Sequence, residues 1–258
     1  MILKILVTFA LANEFAPWRK LRNFRDISID RWDPTYAARI GNADVCVVLT
    51  GAGRFAAQRF VEKAFDELAT AFDVCIASGL SGALKAAHEP GQILAARAIA
   101  DVGQTKLLYA DPELVSRAST FGAKIVNKFL VSEKVVSAAE EKRSLGASGD
   151  AVDMESIYVL AAAAQRKIPS VAIRAISDGV DSDLPLDFDR VFSSRGAVSI
   201  PKVFGQMVQR PGRLGGLVRL ARDSKHAATV LASFLDRYVS GLEERPLTEL
   251  AKAEALSV

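Results

Sequence analysis

The sequence predicts an α/β fold in which a mainly parallel or mixed sheet is covered by helices on both faces. Three observations carry that expectation. Apolar runs of strand length recur along the chain up to residue 176. Segments with apolar residues at helical spacing lie between several of them, and small-residue or acidic turns stand where the runs end. The chain has 258 residues, enough to bury a sizeable core. Half of them are hydrophobic and 24% are charged, which excludes a disordered chain. A net charge of +3 makes no compositional case for nucleic acid as a partner.

Taken in order, residues 3–10 form the first buried strand. The apolar N-terminus is brief and lacks a basic leader and a small-residue cleavage site, so it reads as this strand rather than a signal peptide. No apolar stretch approaches the ~20 residues that span a bilayer, and a cytoplasmic location is expected. Residues 45–49 form a second strand. Residues 55–72 carry Phe60, Val61, Ala64, Phe65 and Leu68 at helical spacing. Strands follow at 74–77, 93–100 and 125–131, an alanine-rich helix at 155–165, and a strand at 170–176 that leads into an acidic loop at 178–189.

From about residue 198 the character changes. Pro201, Pro211, Gly212, Gly215 and Gly216 break up the segment, and 217–239 then reads as a long amphipathic helix. The expected organisation is a catalytic domain over 1–197 with a helical extension of the same domain over 198–258. Cys46 and Cys75 lie inside apolar runs and are expected as buried free thiols. His88 and His226 have no nucleophile pattern near them and are expected at the surface.

Five segments could carry chemistry. Gly51-Ala52-Gly53-Arg54 follows a strand and opens a helix, so its N–H groups could face an anion or a ribose, or it could be a tight turn only. It lacks the third glycine of a dinucleotide fingerprint. Ser78 to Gly82 reads as a second small-residue turn that would let a flat ligand approach the backbone. In Val152-Asp153-Met154-Glu155-Ser156 a carboxylate pair interrupts an apolar run where a helix begins. An N-cap role explains Asp153 well and Glu155 less well. Ile173-Arg174-Ala175-Ile176-Ser177-Asp178 ends a buried strand on a carboxylate. Glu14, between apolar residues after the first strand, is a candidate general base or a solvated loop residue. The acidic run Asp181, Asp183, Asp187 and Asp189 does not fit a calcium loop, and no metal is expected.

In this order the five segments resemble the nucleoside phosphorylase / methylthioadenosine–adenosylhomocysteine nucleosidase family over roughly residues 2–190. The most specific matches are Val152-Asp153-Met154-Glu155-Ser156 and the segment from Arg174 to Asp178. The resemblance implies a three-layer α/β/α sandwich around a mixed, mainly parallel sheet, assembled as a homodimer or higher homo-oligomer. It implies cleavage of a purine nucleoside, with adenine as the expected base. Asp178 would protonate the purine, with Ser177 beside it at the substrate. Glu155 would bind the ribose hydroxyls, Met154 would lie against the sugar, and Gly53 and Gly79 would line the pocket. Glu14 matches the residue that activates water in hydrolytic members. Leu80 stands where many of these have a serine, with Ser81 next to it. Ser81, Arg54 and Arg19, with Arg22, are the candidates for holding water or phosphate, which leaves hydrolysis and phosphorolysis both open. No cofactor is expected beyond phosphate as a co-substrate.

The chemistry suits these residue types. An oxocarbenium-like sugar needs a nearby carboxylate, and a departing base needs an acid. To serve as that acid Asp178 must hold a proton, for which burial is the expected cause. Residues 141–156 and 201–224, with the segments Arg210-Pro211-Gly212 and Leu217-Val218-Arg219-Leu220-Ala221-Arg222-Asp223, resemble the hopanoid-associated phosphorylase branch, which implies a lipid-linked adenosine as substrate. Independently, Arg210, Arg213, Arg219, Arg222 and Lys225 accompany Leu214, Leu217, Val218 and Leu220 in a basic amphipathic pattern. It suits peripheral contact with an anionic inner-membrane face, or packing on the domain or a partner. The competing readings are a nucleosidase or phosphorylase for another nucleoside, futalosine-like or uridine, and a non-catalytic nucleoside-binding protein.

Overall fold

The computed structural model describes residues 2–28, 34–68, 71–103, 107–185 and 214–242. The strands are β1 (Leu3–Phe9), β2 (Arg25–Asp26), β3 (Thr35–Ile40), β4 (Ala43–Leu49), β5 (Val74–Ala83), β6 (Ile93–Asp101), β7 (Leu108–Tyr109), β8 (Lys124–Val131), β9 (Ala151–Asp153) and β10 (Ser170–Asp178). The helices are α1 (Ala12–Leu21), α2 (Arg54–Glu67), α3 (Pro112–Thr120), α4 (Ala139–Leu145), α5 (Ser156–Gln165) and α6 (Leu214–Leu242).

One mixed sheet organises these elements in the order β10-β6-β8-β9-β5-β1-β4-β3-β2, with β7 on β6. β1 pairs in parallel with β4 and β5, and β5 with β10, so these four strands end at the same edge. That shared edge is where an open α/β sheet collects ligand-binding loops. β10 also pairs antiparallel with β6. The strands β5, β10, β6, β8 and β9 thereby close into a ring, a feature the sandwich expectation does not contain.

Ser78 to Gly82 is not a turn. It is the second half of β5, which β10 pairs along its length and which β9 joins at Gly82 and Ala83. Small residues there mark close packing in the ladder rather than a change of direction.

α6 packs against α1 and α3, and α2 packs with α5. α1 is held by an aromatic cluster of Phe9, Phe15, Trp18, Phe24 and Tyr36, with ring centroids 5.0–6.5 Å apart. α3 starts with Pro112 behind Asp111, whose carboxylate accepts the N–H groups of Glu113 and Leu114 at 3.0 Å.

α6 buries Ala227, Leu231, Phe234, Leu235, Tyr238 and Val239 in the same core as the sheet. Asp236 fixes it to α1 by accepting from Arg22 at 2.6 Å, and Tyr238 donates to the Leu114 carbonyl at 2.9 Å. The helix thus packs on the domain along its second half. Residues 198–213, including Arg210 and Arg213, lie outside the described residues, as do Asp187 and Asp189. Among the described residues no helix is long and apolar enough to cross a membrane.

Cys46 and Cys75 are buried free thiols, pushed up to about 12 by burial. His88 corrects an expectation, being 5% exposed. It sits between Gln92 and Asp150, and Asp150 also accepts from Lys85 at 2.7 Å.

Candidate active site

At the shared edge of β1, β5 and β10 a cavity of about 250 Å³ is lined by Glu14, Ser81, Met154, Glu155, Ser177 and Asp178, among others. Three separate elements supply its carboxylates. Glu14 lies in the first turn of α1, directly after β1. Glu155 stands immediately before α5, and Asp178 is the last residue of β10. All three are buried, at 6%, 6% and 9% exposure.

Glu14 accepts the Leu11 N–H at 3.0 Å and the Leu80 N–H at 3.1 Å. Leu80 therefore contributes its backbone where a serine side chain was looked for. Burial raises the Glu14 carboxyl above the usual carboxylate range, opposed by Arg174 and by those N–H groups. Glu155 accepts the Gly53 N–H at 2.8 Å. Burial pushes its carboxyl up to about 7 against the pull of Arg174, and the like charge of Asp153 adds to the rise. Asp153 caps α5 through the N–H groups of Glu155 and Ser156 at 2.8 and 2.9 Å.

The two glycines earn their places by conformation and space. Gly53 has φ +89°, and a Cβ there would lie 3.8 Å from the Met154 methyl. Gly79 has φ +140°, and a Cβ there would sit 2.5 Å from Arg174 and 3.1 Å from Glu14. No other residue fits either position without strain.

Two buried cations escaped the sequence reading as site residues. Arg174, 1% exposed, sits in the middle of β10. It donates to the Ser156 hydroxyl and the Ser78 carbonyl, with Asp153 at 3.2 Å and Glu155 at 3.7 Å. A charged residue inside an apolar strand was the available signal. Lys142, on α4, is fully buried. Its ammonium bonds Asp178 directly and donates to the carbonyls of Gly179 at 3.3 Å and Ser182 at 2.8 Å. Burial alone is thus not the environment of Asp178, as the sequence suggested; a cation is packed against it. The ion pair does not seal the site, since Asp178 also lines the cavity.

The remaining candidates divide. Ser177 donates to Asp178 at 2.5 Å, with the Ser81 carbonyl as the other acceptor in reach at 3.2 Å. The Ser81 hydroxyl is buried beside the cavity, without a hydrogen-bond partner among the described residues. Neither arginine candidate lines the cavity. Arg54 is half exposed beside Glu133 at 3.7 Å, and Arg19 stacks over the Tyr36 ring at 4.3 Å. Arg22 is taken by Asp236. A larger hollow of about 420 Å³ lies at the β2–β3–β4 edge, but none of these residues lines it.

A family model, that of the phosphorylase superfamily, matches residues 4–204. The chain belongs to the phosphorylase superfamily. Membership in this superfamily makes the protein an enzyme that cleaves an N-glycosidic bond. Its fold agrees with solved superfamily structures. Futalosine hydrolase of Helicobacter pylori superposes with a TM-score of 0.71 at 15% identity, covering 93% of this chain and 99% of that one. The S-adenosylhomocysteine nucleosidase of Streptococcus pyogenes, in complex with 5-methylthiotubericidin, gives 0.71 at 15%, covering 93% and 97%. The 5′-methylthioadenosine/S-adenosyl homocysteine nucleosidase of Campylobacter jejuni gives 0.69 at 16%, covering 93% and 99%. No curated protein matches the sequence.

Proposed function

We propose that this superfamily member hydrolyses the N-glycosidic bond of a purine nucleoside, with adenine as the base. The convergence of Glu14, Glu155 and Asp178 on one cavity carries this reading. Glu155 binds the ribose hydroxyls and, with its neighbours, favours the positive charge that develops at the anomeric carbon. Met154 lies against the sugar. Asp178 serves the purine ring nitrogen as the base departs. Glu14, held by two N–H groups and raised by burial, takes a proton from water.

Charge favours water over phosphate as the nucleophile. Glu14, Asp153, Glu155 and Asp178 all line the cavity, with Lys134 the one cation lining it among the described residues. Arg174 is already committed to Asp153, Ser156 and the Ser78 carbonyl. Among the described residues a phosphate dianion would meet four carboxylates and the single cation Lys134.

A 5′-linked apolar or lipid group is favoured by one further observation. Leu220 of α6 lines the cavity, while Val218, Arg219 and Arg222 of the same segment are exposed. The cavity mouth therefore adjoins a basic, apolar surface suited to an anionic membrane. The exposed Phe55, one residue into α2 and two past Gly53, is a surface that a homo-oligomer would cover.

The test is a panel of adenosine and 5′-modified adenosines, each incubated with and without phosphate. Free sugar and adenine formed without phosphate are expected. Ribose 1-phosphate as the product would refute hydrolysis, and no base release from any member would refute the purine reading.

A further inference from the structure

The proposed chemistry leaves unused the most deeply buried cation near the cavity. Lys142 lies in the run Glu140-Glu141-Lys142-Arg143, where a solvated helix face would be expected, yet its side chain is wholly buried. α4 is clasped to the loop after β10 at its N-terminal end. Asp183 accepts the Ala139 N–H at 2.8 Å, and Leu184 N–H donates to the Ser137 carbonyl at 2.8 Å. The loop folds so that three acceptors surround one ammonium: Asp178 Oδ2, the Gly179 carbonyl and the Ser182 carbonyl.

That set of partners satisfies two protonation states. As an ammonium, Lys142 gives one hydrogen to each acceptor. As a neutral amine it keeps two hydrogens for the two carbonyls and turns its lone pair to a protonated Asp178. A proton can therefore move between Nζ and Oδ2 without orphaning any buried group.

We propose that Lys142 is the positioning residue that supplies Asp178 with the proton the departing base takes. The inference rests on the role of Asp178 given above. As the bond between the anomeric carbon and the base breaks, its electron pair goes to the base. The ring nitrogen takes the proton from Asp178 Oδ2, and that proton comes from Lys142 Nζ. Water's hydroxide joins the anomeric carbon and its proton goes to Glu14. Glu14 then releases its proton to solvent, and the neutral amine of Lys142 regains one from solvent.

Other charged groups surround the pair. Asp181, Asp183, Arg219 and Asp223 line an adjoining hollow of about 240 Å³ that also reaches Asp178. Across the cavity stand Glu14, Lys134, Asp153 and Glu155. Among the described residues no histidine lines either space.

Lys142→Arg and Lys142→Met separate delivery of a proton from mere charge or support. Arginine keeps the positive charge and the donors but does not give up a proton. The kcat–pH profile is read for both variants, for Asp178→Asn and for the double variant Asp178→Asn/Lys142→Met. Both lysine variants are expected to lose about 30-fold or more in kcat at pH 8, with KM within about threefold, and to recover as pH falls. The double variant should be no slower than Asp178→Asn within about threefold. Wild-type kcat in Lys142→Arg would overturn the proposal, and so would losses equal at every pH that multiply with Asp178→Asn. If Lys142→Met does not fold, Lys142→Arg decides alone. Wild-type base release by Asp178→Asn would instead refute the role of Asp178 itself.

Discussion

The Gly53 N–H donates to Glu155 at 2.8 Å, joining the turn after β4 to the start of α5 across 102 positions of sequence. The bond aims a buried carboxylate into the cavity and uses a backbone shape that only glycine holds at low cost. Gly53→Ala is therefore expected to cost about 1–3 kcal/mol of stability, because φ +89° with ψ 168° is a region other residues avoid. Thermal unfolding measures this. Glu155→Ala is expected to lower kcat/KM by more than about 10-fold, since Glu155 is the proposed contact to the sugar.

Glu14→Gln keeps one of the two accepted N–H bonds and removes the proposed base. A loss of about 10²–10⁴ in kcat is expected, with KM changed only a few-fold. Steady-state kinetics with a slow-releasing adenosine derivative checks both parameters.

Stability should fall as pH rises from about 5 to about 7. The Glu155 carboxyl is raised to about 7 in the folded chain, and Glu14 is also raised. Between the unfolded carboxylate range and those values, the folded state holds protons that the unfolded state has lost. Stability then declines with pH across that window and levels off above it. Melting temperature against pH should show this slope, and Glu155→Gln should flatten it.

Arg174→Met leaves Asp153 and Glu155 buried without their cation. Breaking such a pair from one side is expected to cost about 3–5 kcal/mol. Denaturant unfolding of the variant against the wild type measures it. The paired change Arg174→Met with Asp153→Asn should recover part of the loss.

Much of the site was legible because chemistry interrupts pattern. Asp178 and Glu155 are carboxylates set against apolar runs at a strand end and a helix start, where an ordinary turn residue or a first-turn carboxylate is the competing reading. Arg174 carried the same kind of signal, a charge inside a buried strand, and went unread as a site residue. Lys142 could not be found this way. Its neighbours are charged, so periodicity assigns it to a solvated face, and only the docking of α4 against the loop after β10 buries it.

The fold divided along similar lines. Continuous apolar strands such as β1 and β10 announce themselves. The second half of β5 is made of serine and glycine, the residues of turns, and only its pairing with β10 and β9 keeps it extended. His88 lacked any local sign of its burial, because Asp150 reaches it from 62 positions away.

Base release in phosphate-free buffer made with ¹⁸O-labelled water tests the central claim most directly. The account predicts adenine and a free sugar carrying one ¹⁸O at the anomeric position, formed at full rate without phosphate. An unlabelled sugar phosphate, or a reaction that stops when phosphate is withdrawn, would contradict it.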